Sequence, residues 1–124
     1  MVLQVETAQA VEQAAGIAAV DGVDVVFIGP ADLSQSLGLP GQTQHPAVQD
    51  AMHRVAAAVT RSPAALGVMV GDVRAARAWR DRGARYITVT LEAVLGPAAR
   101  GYLAGVREGT APASLERQIQ KEGE

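Results

Sequence analysis

The sequence predicts an α/β protein made of four βα units in series, with a parallel sheet and right-handed crossovers. Three observations predict it. Short apolar runs rich in β-branched residues recur four times, and each is followed by a stretch with apolar residues at helical spacing. Hydrophobic residues make up 48% of the 124 positions but aromatics only 3%. The core must therefore be built from Ala, Val, Leu and Ile, which suits parallel strands under Ala-rich helices. Four such units fit either a small open sheet or half of an eightfold barrel, whose usual length is ~250 residues.

The elements follow in order. Residues 2–6 read as a strand. Val11, Ala14, Ala15 and Ala18 recur at i, i+3, i+4 and i+7 and predict a helix, with Thr7 as its N-cap. Residues 23–28 form a short apolar run between Gly22 and Gly29-Pro30 and predict a buried strand. Residues 34–45, with Gly38, Pro40 and Gly41, read as a loop with room for one helical turn. Pro46 suits the first position of a helix whose apolar face is Val48, Met52, Val55 and Val59. Residues 66–70 are a third strand. Asp72 caps a helix carrying Val73, Ala76 and Trp79, which Gly83 ends. Residues 85–90 are a fourth strand, and a last helix uses Val94, Leu95, Ala98, Ala99, Tyr102 and Leu103. Residues 1–108 are thus expected to form one partial domain, and residues 109–124 a polar tail with a short helix from about Ser114.

Composition excludes several functions. The formal net charge is −2, with no basic patch for nucleic acid. Cysteine is absent, so neither disulfides nor thiolate chemistry are expected. No apolar run approaches the ~20 residues of a membrane span, and the first residues lack the layout of a signal peptide. A soluble cytoplasmic protein is the expectation, with no nucleic-acid or membrane partner. The chain enters an apolar strand directly after Met1, which points to a truncated, split or misassigned reading frame.

Chemistry concentrates at two strand ends. Ligands of parallel sheets bind outside the strands' carboxyl ends, where Glu6 and Asp32 lie on consecutive strands. Neighbouring strands are ~4.8 Å apart, so two carboxylates there can share a hard divalent cation and leave positions open for substrate oxygens. Gln4 shares a strand face with Glu6 and can orient a carboxylate or a water. Backbone N–H groups at Gly29, Ala31 and Asp32, in a turn through Pro30, offer a cradle for a substrate carboxylate. The other polar residues have plainer readings. His45 is expected to cap a helix or face solvent, His53 to lie on a helix surface, and Asp72 to cap. Arg74, Arg77, Arg80, Arg82 and Arg85, interspersed with Asp72 and Asp81, read as a solvated helix face. Trp79 reads as core or a subunit contact.

The same residues carry a resemblance. Gln4-Val5-Glu6-Thr7, then Ala18 to Asp24, then Phe27-Ile28-Gly29-Pro30-Ala31-Asp32-Leu33-Ser34, then His45-Pro46, resemble the HpcH/HpaI aldolase family. The likeness runs in order over about the first hundred residues and is strongest from Gln4 to Gly38. It implies the second half, about strands five to eight, of a TIM-type (β/α)8 barrel of the phosphoenolpyruvate/pyruvate superfamily. It also implies metal-dependent aldol cleavage of a 4-hydroxy-2-oxoacid to pyruvate and an aldehyde. Carried over, Glu6 and Asp32 are the protein's ligands to Mg²⁺, Mn²⁺ or Co²⁺, Gln4 supports the site, and Gly29, Pro30, Ala31 and Asp32 hold the pyruvate carboxylate. The resemblance places the general-base His and the enolate-stabilising Arg in the first barrel half. No catalytic residue is therefore expected among these 124, and the chain alone is expected to be inactive.

Two further readings stand beside this one. The chain can be a non-catalytic fragment or interaction module, pairing with itself or with a complementing half barrel through the exposed edges of its first and fourth strands. It can also act on acyl-CoA thioesters, like the citrate-lyase β-like enzymes of the same superfamily. The Gly-Pro-Ala-Asp-Leu-Ser string favours the aldolases.

Overall fold

A computed structural model describes residues 1–108. The expected tail, 109–124, lies outside the described residues. The chain divides into two compact units, Met1–Val89 and Thr90–Glu124.

The first unit contains β1 (Val2–Val5), α1 (Ala8–Glu12), α2 (Ala14–Ala18), β2 (Val25–Ile28), α3 (Pro30–Ser36), α4 (Pro46–Val59), β3 (Ala65–Val70), α5 (Val73–Asp81) and β4 (Ala84–Val89). All four strands pair in parallel in the order β1-β2-β3-β4. The sheet extends to the first residue, because the Met1 carbonyl accepts from the N–H groups of Asp24 and Val25.

Most expected elements stand where the sequence put them. Thr7 caps α1, its Oγ1 accepting from the Ala10 N–H at 3.1 Å. Asp72 caps α5 in the same way through the Ala75 N–H at 2.7 Å. His45 caps α4, its Nδ1 accepting from the Ala47 N–H at 3.2 Å, with Pro46 at the first helical position. Gly83 follows α5 with φ +95°, a conformation that a Cβ disfavours.

Two readings are corrected. The single helix expected through residues 11–18 is two short ones. The chain leaves helical geometry at Gln13 (φ −97°, ψ 1°), whose N–H closes back onto the Ala10 carbonyl at 3.2 Å. Val11, Ala14 and Ala18 are buried on both sides of this break, so the apolar face continues across it. The segment from Ser34, expected to be loop, starts inside α3. Pro30 opens that helix, its fixed φ suited to the first turn.

The sheet's two faces differ. Toward the helices it presents Val5, Val26, Ile28, Leu66, Val68, Val70 and Ala84, which pack with Val11, Leu33, Val48, Met52, Val55, Val59 and Trp79 in one core. Each fully buried Val, Leu or Ile contributes about 1.5–3 kcal/mol by leaving water. The opposite face follows from the register, in which Gln4 pairs with Phe27, Phe27 with Gly67, and Gly67 with Tyr86. Phe27 and Tyr86 meet edge to face, with centroids 6.0 Å apart. They lean over Gly67, where an added Cβ would lie 2.8 Å from Phe27 Cδ2 and 2.9 Å from Val25 Cγ1. β4 carries one extra residue, Arg85, between the pairs Leu66–Ala84 and Gly67–Tyr86. Such a bulge bends the strand and increases its twist.

The second unit contains α6 (Leu91–Glu108). Thr90 Oγ1 accepts from the Ala93 N–H at its start, and Pro97 lies within it.

Candidate functional site

β1 and β2 end level with one another. Val5 pairs with Ile28, and the next step is closed by the Gly29 N–H donating to the Val5 carbonyl at 3.1 Å. Glu6 therefore emerges beside Gly29. A Cβ placed on Gly29 would lie 3.2 Å from Glu6 Cβ, 3.3 Å from Glu6 Oε2 and 3.7 Å from Gln4 Nε2. The structure thus brings Gln4, Glu6 and Gly29 together, and glycine is the residue that leaves the space between them open. Glu6 is half-buried and Gln4 is exposed.

Asp32 stands in the first turn of α3 and is exposed. A carboxylate there interacts favourably with the helix dipole, a local role that holds whatever else Asp32 binds. One part of the expected cradle is corrected. The Gly29 N–H is taken by the sheet and Pro30 has none, so only Ala31 and Asp32 bring N–H groups from this segment, as part of the turn that lacks intrahelical acceptors.

Sequence reasoning missed two serines that hold this end together. Ser36 Oγ accepts from the Ala8 N–H at 3.0 Å, tying α3 to the chain just after Glu6. Ser34 is fully buried; its Oγ donates to the Ala31 carbonyl at 2.6 Å and accepts from the Gly41 N–H at 3.1 Å. The only clue in the sequence was their position after Asp32, which by itself reads as ordinary loop polarity.

The remaining polar residues keep their plain readings. His53 lies exposed on α4 with its ring 5.9 Å from that of Trp79, and Arg82 lies over the same indole at 5.6 Å. Trp79 itself is core. The five Arg side chains from Arg74 to Arg85 are all exposed. Arg54 pairs with Glu12 at 2.7 Å, and hydrogen bonding to that carboxylate raises the guanidinium pKa further. Among the described residues no three His, Asp or Glu side chains cluster as a metal site. No helix among them is long and apolar enough to cross a membrane.

A parallel sheet layered with helices, with a carboxylate and an open glycine at the ends of adjacent strands, is the arrangement of an α/β domain whose ligands bind at the carboxyl ends of its strands. The chain belongs to the HpcH/HpaI aldolase/citrate lyase family, whose profile matches residues 1–95. It is 40% identical over 91 residues to a hydroxypyruvate/pyruvate aldolase of Paraburkholderia phytofirmans, covering 73% of this chain and 35% of that protein. It is 38% identical over 95 residues to a 4-hydroxy-2-oxo-heptane-1,7-dioate aldolase of Salmonella arizonae, covering 77% of this chain and 36% of that one. The crystal structure of a family protein from Burkholderia cenocepacia superposes with a TM-score of 0.80 at 44% identity, covering 86% of this chain and 42% of that one. The chain therefore spans well under half the length of these relatives, and its sheet is part of the TIM-type barrel of the phosphoenolpyruvate/pyruvate superfamily.

Proposed function

We propose that this chain supplies the metal-binding side of a class II pyruvate aldolase, an enzyme that cleaves a 4-hydroxy-2-oxoacid to pyruvate and an aldehyde. The observation that carries the reading is the convergence of Glu6 and Gln4 on the open space at Gly29. The donor chemistry fits a hard divalent cation, Mg²⁺, Mn²⁺ or Co²⁺, held by Glu6 and Asp32. When bound, such a cation supplies Lewis-acid stabilisation of the charge that develops on a 2-oxoacid as its C–C bond breaks.

The chain's own residues do the rest. Gln4, level with Phe27 and beside Glu6, orients the carboxylate or a water through its amide. The N–H groups of Ala31 and Asp32 receive the substrate carboxylate. The Ser36–Ala8 hydrogen bond keeps the loop after Glu6 and the helix carrying Asp32 in fixed relation. Among the described residues none is assigned the role of general base in this reading, and losing a positioned acid/base costs ~10²–10⁴-fold in rate. The chain alone is therefore proposed to bind but not to turn over, and to act in the cytoplasm as part of an oligomer or a completed barrel. The 38–40% identity to two pyruvate-type aldolases supports this class over acyl-CoA lyases.

Isothermal calorimetry with MnCl₂, with and without pyruvate, tests the reading. Metal-dependent heat that Glu6→Gln and Asp32→Asn each abolish is the expected result. Absence of metal heat in the unaltered chain, or heat unchanged in both variants, overturns it.

A further inference from the structure

The Met1–Val89 sheet has a cavity of about 640 Å³ at its foot, the end opposite Glu6. Small-molecule sites usually enclose roughly 300–1,000 Å³. Three segments build this one: the turn from Ala18 to Asp24, Pro63 with Ala65 at the start of β3, and Arg85 near the start of β4. Much of the wall is apolar, from Ala18, Val20, Val23 and Pro63. Its charged groups are Asp21, Asp24 and Arg85.

The backbone around the cavity is held in place. Gly22, at φ +84°, turns the chain between Asp21 and Val23. The Val23 N–H donates to the Val20 carbonyl at 3.2 Å, and the Asp24 carbonyl accepts from the Ala65 N–H at 2.8 Å. Arg85 is the extra residue of the β4 bulge, and bulges re-aim side chains. Its guanidinium donates to the Pro63 carbonyl at 3.4 Å, which leaves most of its N–H donors for other acceptors. Asp24 is paired with the Met1 amino group. Among the described residues, neither Asp21 nor Arg85 makes an ion pair, although both line this cavity. Opposite charges therefore share one cavity without neutralising each other.

We infer that this cavity binds a small dipolar molecule carrying an ammonium and a carboxylate, the chemistry of a free amino acid. Charge decides the class. A simple anion drawn to Arg85 meets repulsion from Asp21, and a simple cation drawn to Asp21 meets repulsion from Arg85. A dipolar ligand satisfies both at once. Its ammonium donates to the Asp21 carboxylate, and its carboxylate accepts from the guanidinium, whose planar fork matches that group. Its carbon chain rests on the apolar wall. Such a ligand bridges the turn before β2 to β4 and stabilises the folded chain by mass action. The cavity shares no residue with the Glu6–Gly29 site, so ligand binding here and metal binding there can fail independently.

Amide NMR spectra of the full chain, titrated with four probes, are the test. L-alanine and 4-aminobutyrate hold the two charges at short and long separation; acetate and methylammonium carry one charge each. Saturable shifts at the amides of Asp21 to Asp24 and Arg85 are expected with at least one dipolar probe, and that probe should also raise the melting temperature. Each single-charge probe should bind more weakly. Asp21→Asn and Arg85→Gln should each weaken binding by about three- to tenfold, and the double variant should abolish it. Circular dichroism melts establish that the variants fold. If a variant does not fold, the comparison of probes on the unaltered chain decides. No saturable shift with either dipolar probe overturns the inference, as does acetate or methylammonium binding equally well, or unchanged binding in both single variants.

Discussion

Replacing Gly29 with alanine tests the core of the site most directly. The residue sits at φ −95°, ψ 89°, which alanine can adopt. On backbone grounds alone the change would stabilise by about 0.4–1 kcal/mol, by restricting the unfolded chain. The added methyl, however, meets Glu6 Cβ at 3.2 Å and Glu6 Oε2 at 3.3 Å. The carboxylate can swing away, but Glu6 Cβ is fixed to a strand locked by the Gly29-to-Val5 hydrogen bond. Overpacking of this kind costs about 1–3 kcal/mol, so the net loss is about 1–2 kcal/mol. For a unit of this size each kcal/mol lowers Tm by about 4–8 °C. A melt should therefore fall by roughly 5–15 °C, and the displaced carboxylate should weaken Mn²⁺ binding by about tenfold or more. Thermal melts by circular dichroism and calorimetry with MnCl₂ read the two effects separately. A G29A protein that melts at or above the parent temperature and keeps its metal heat would show that the space at Gly29 is neither crowded nor part of a site.

Three further substitutions probe the frame. Gly83→Ala combines φ +95° with a Cβ 2.9 Å from Thr60 Cγ2 and should cost about 1–3 kcal/mol, seen as a lower urea midpoint with unchanged m-value. Ser34→Ala removes the acceptor for the Gly41 N–H and should cost about 1–3 kcal/mol, with faster amide exchange at Gly41 as its marker. Asp72→Ala removes the α5 cap and should cost about 1 kcal/mol in a thermal melt, whereas Asp72→Asn should retain most of it.

Strands and caps were legible because each rests on a local cause. A four-residue run such as Val25–Ile28, closed by Gly29-Pro30, has little choice but to be a buried strand. Thr7, His45 and Asp72 announce helix starts through side-chain acceptors within three residues of the N–H groups they satisfy. The helix after β2 was misjudged because Pro30 signals both a turn and a first helical position, and only packing of Leu33 into the core decides between them. The break at Gln13 left no mark, since neither Gly nor Pro stands there. Glu6 and Gln4 were legible as partners from alternation along β1. Their convergence on Gly29 was not, because it depends on the register between two strands. The Ser36–Ala8 tie spans 28 positions, a separation no local pattern can reveal.

The carbonyl of Met1 is already engaged with β2, so Met1 sits at the foot of the sheet, five residue steps below Glu6. At roughly 3.3 Å per residue, that is on the order of 16 Å from the strand ends where Glu6 and Gly29 meet. Anything fused ahead of Met1, whether a purification handle or a fluorescent reporter, would leave from the end of the sheet opposite Glu6 and Gly29.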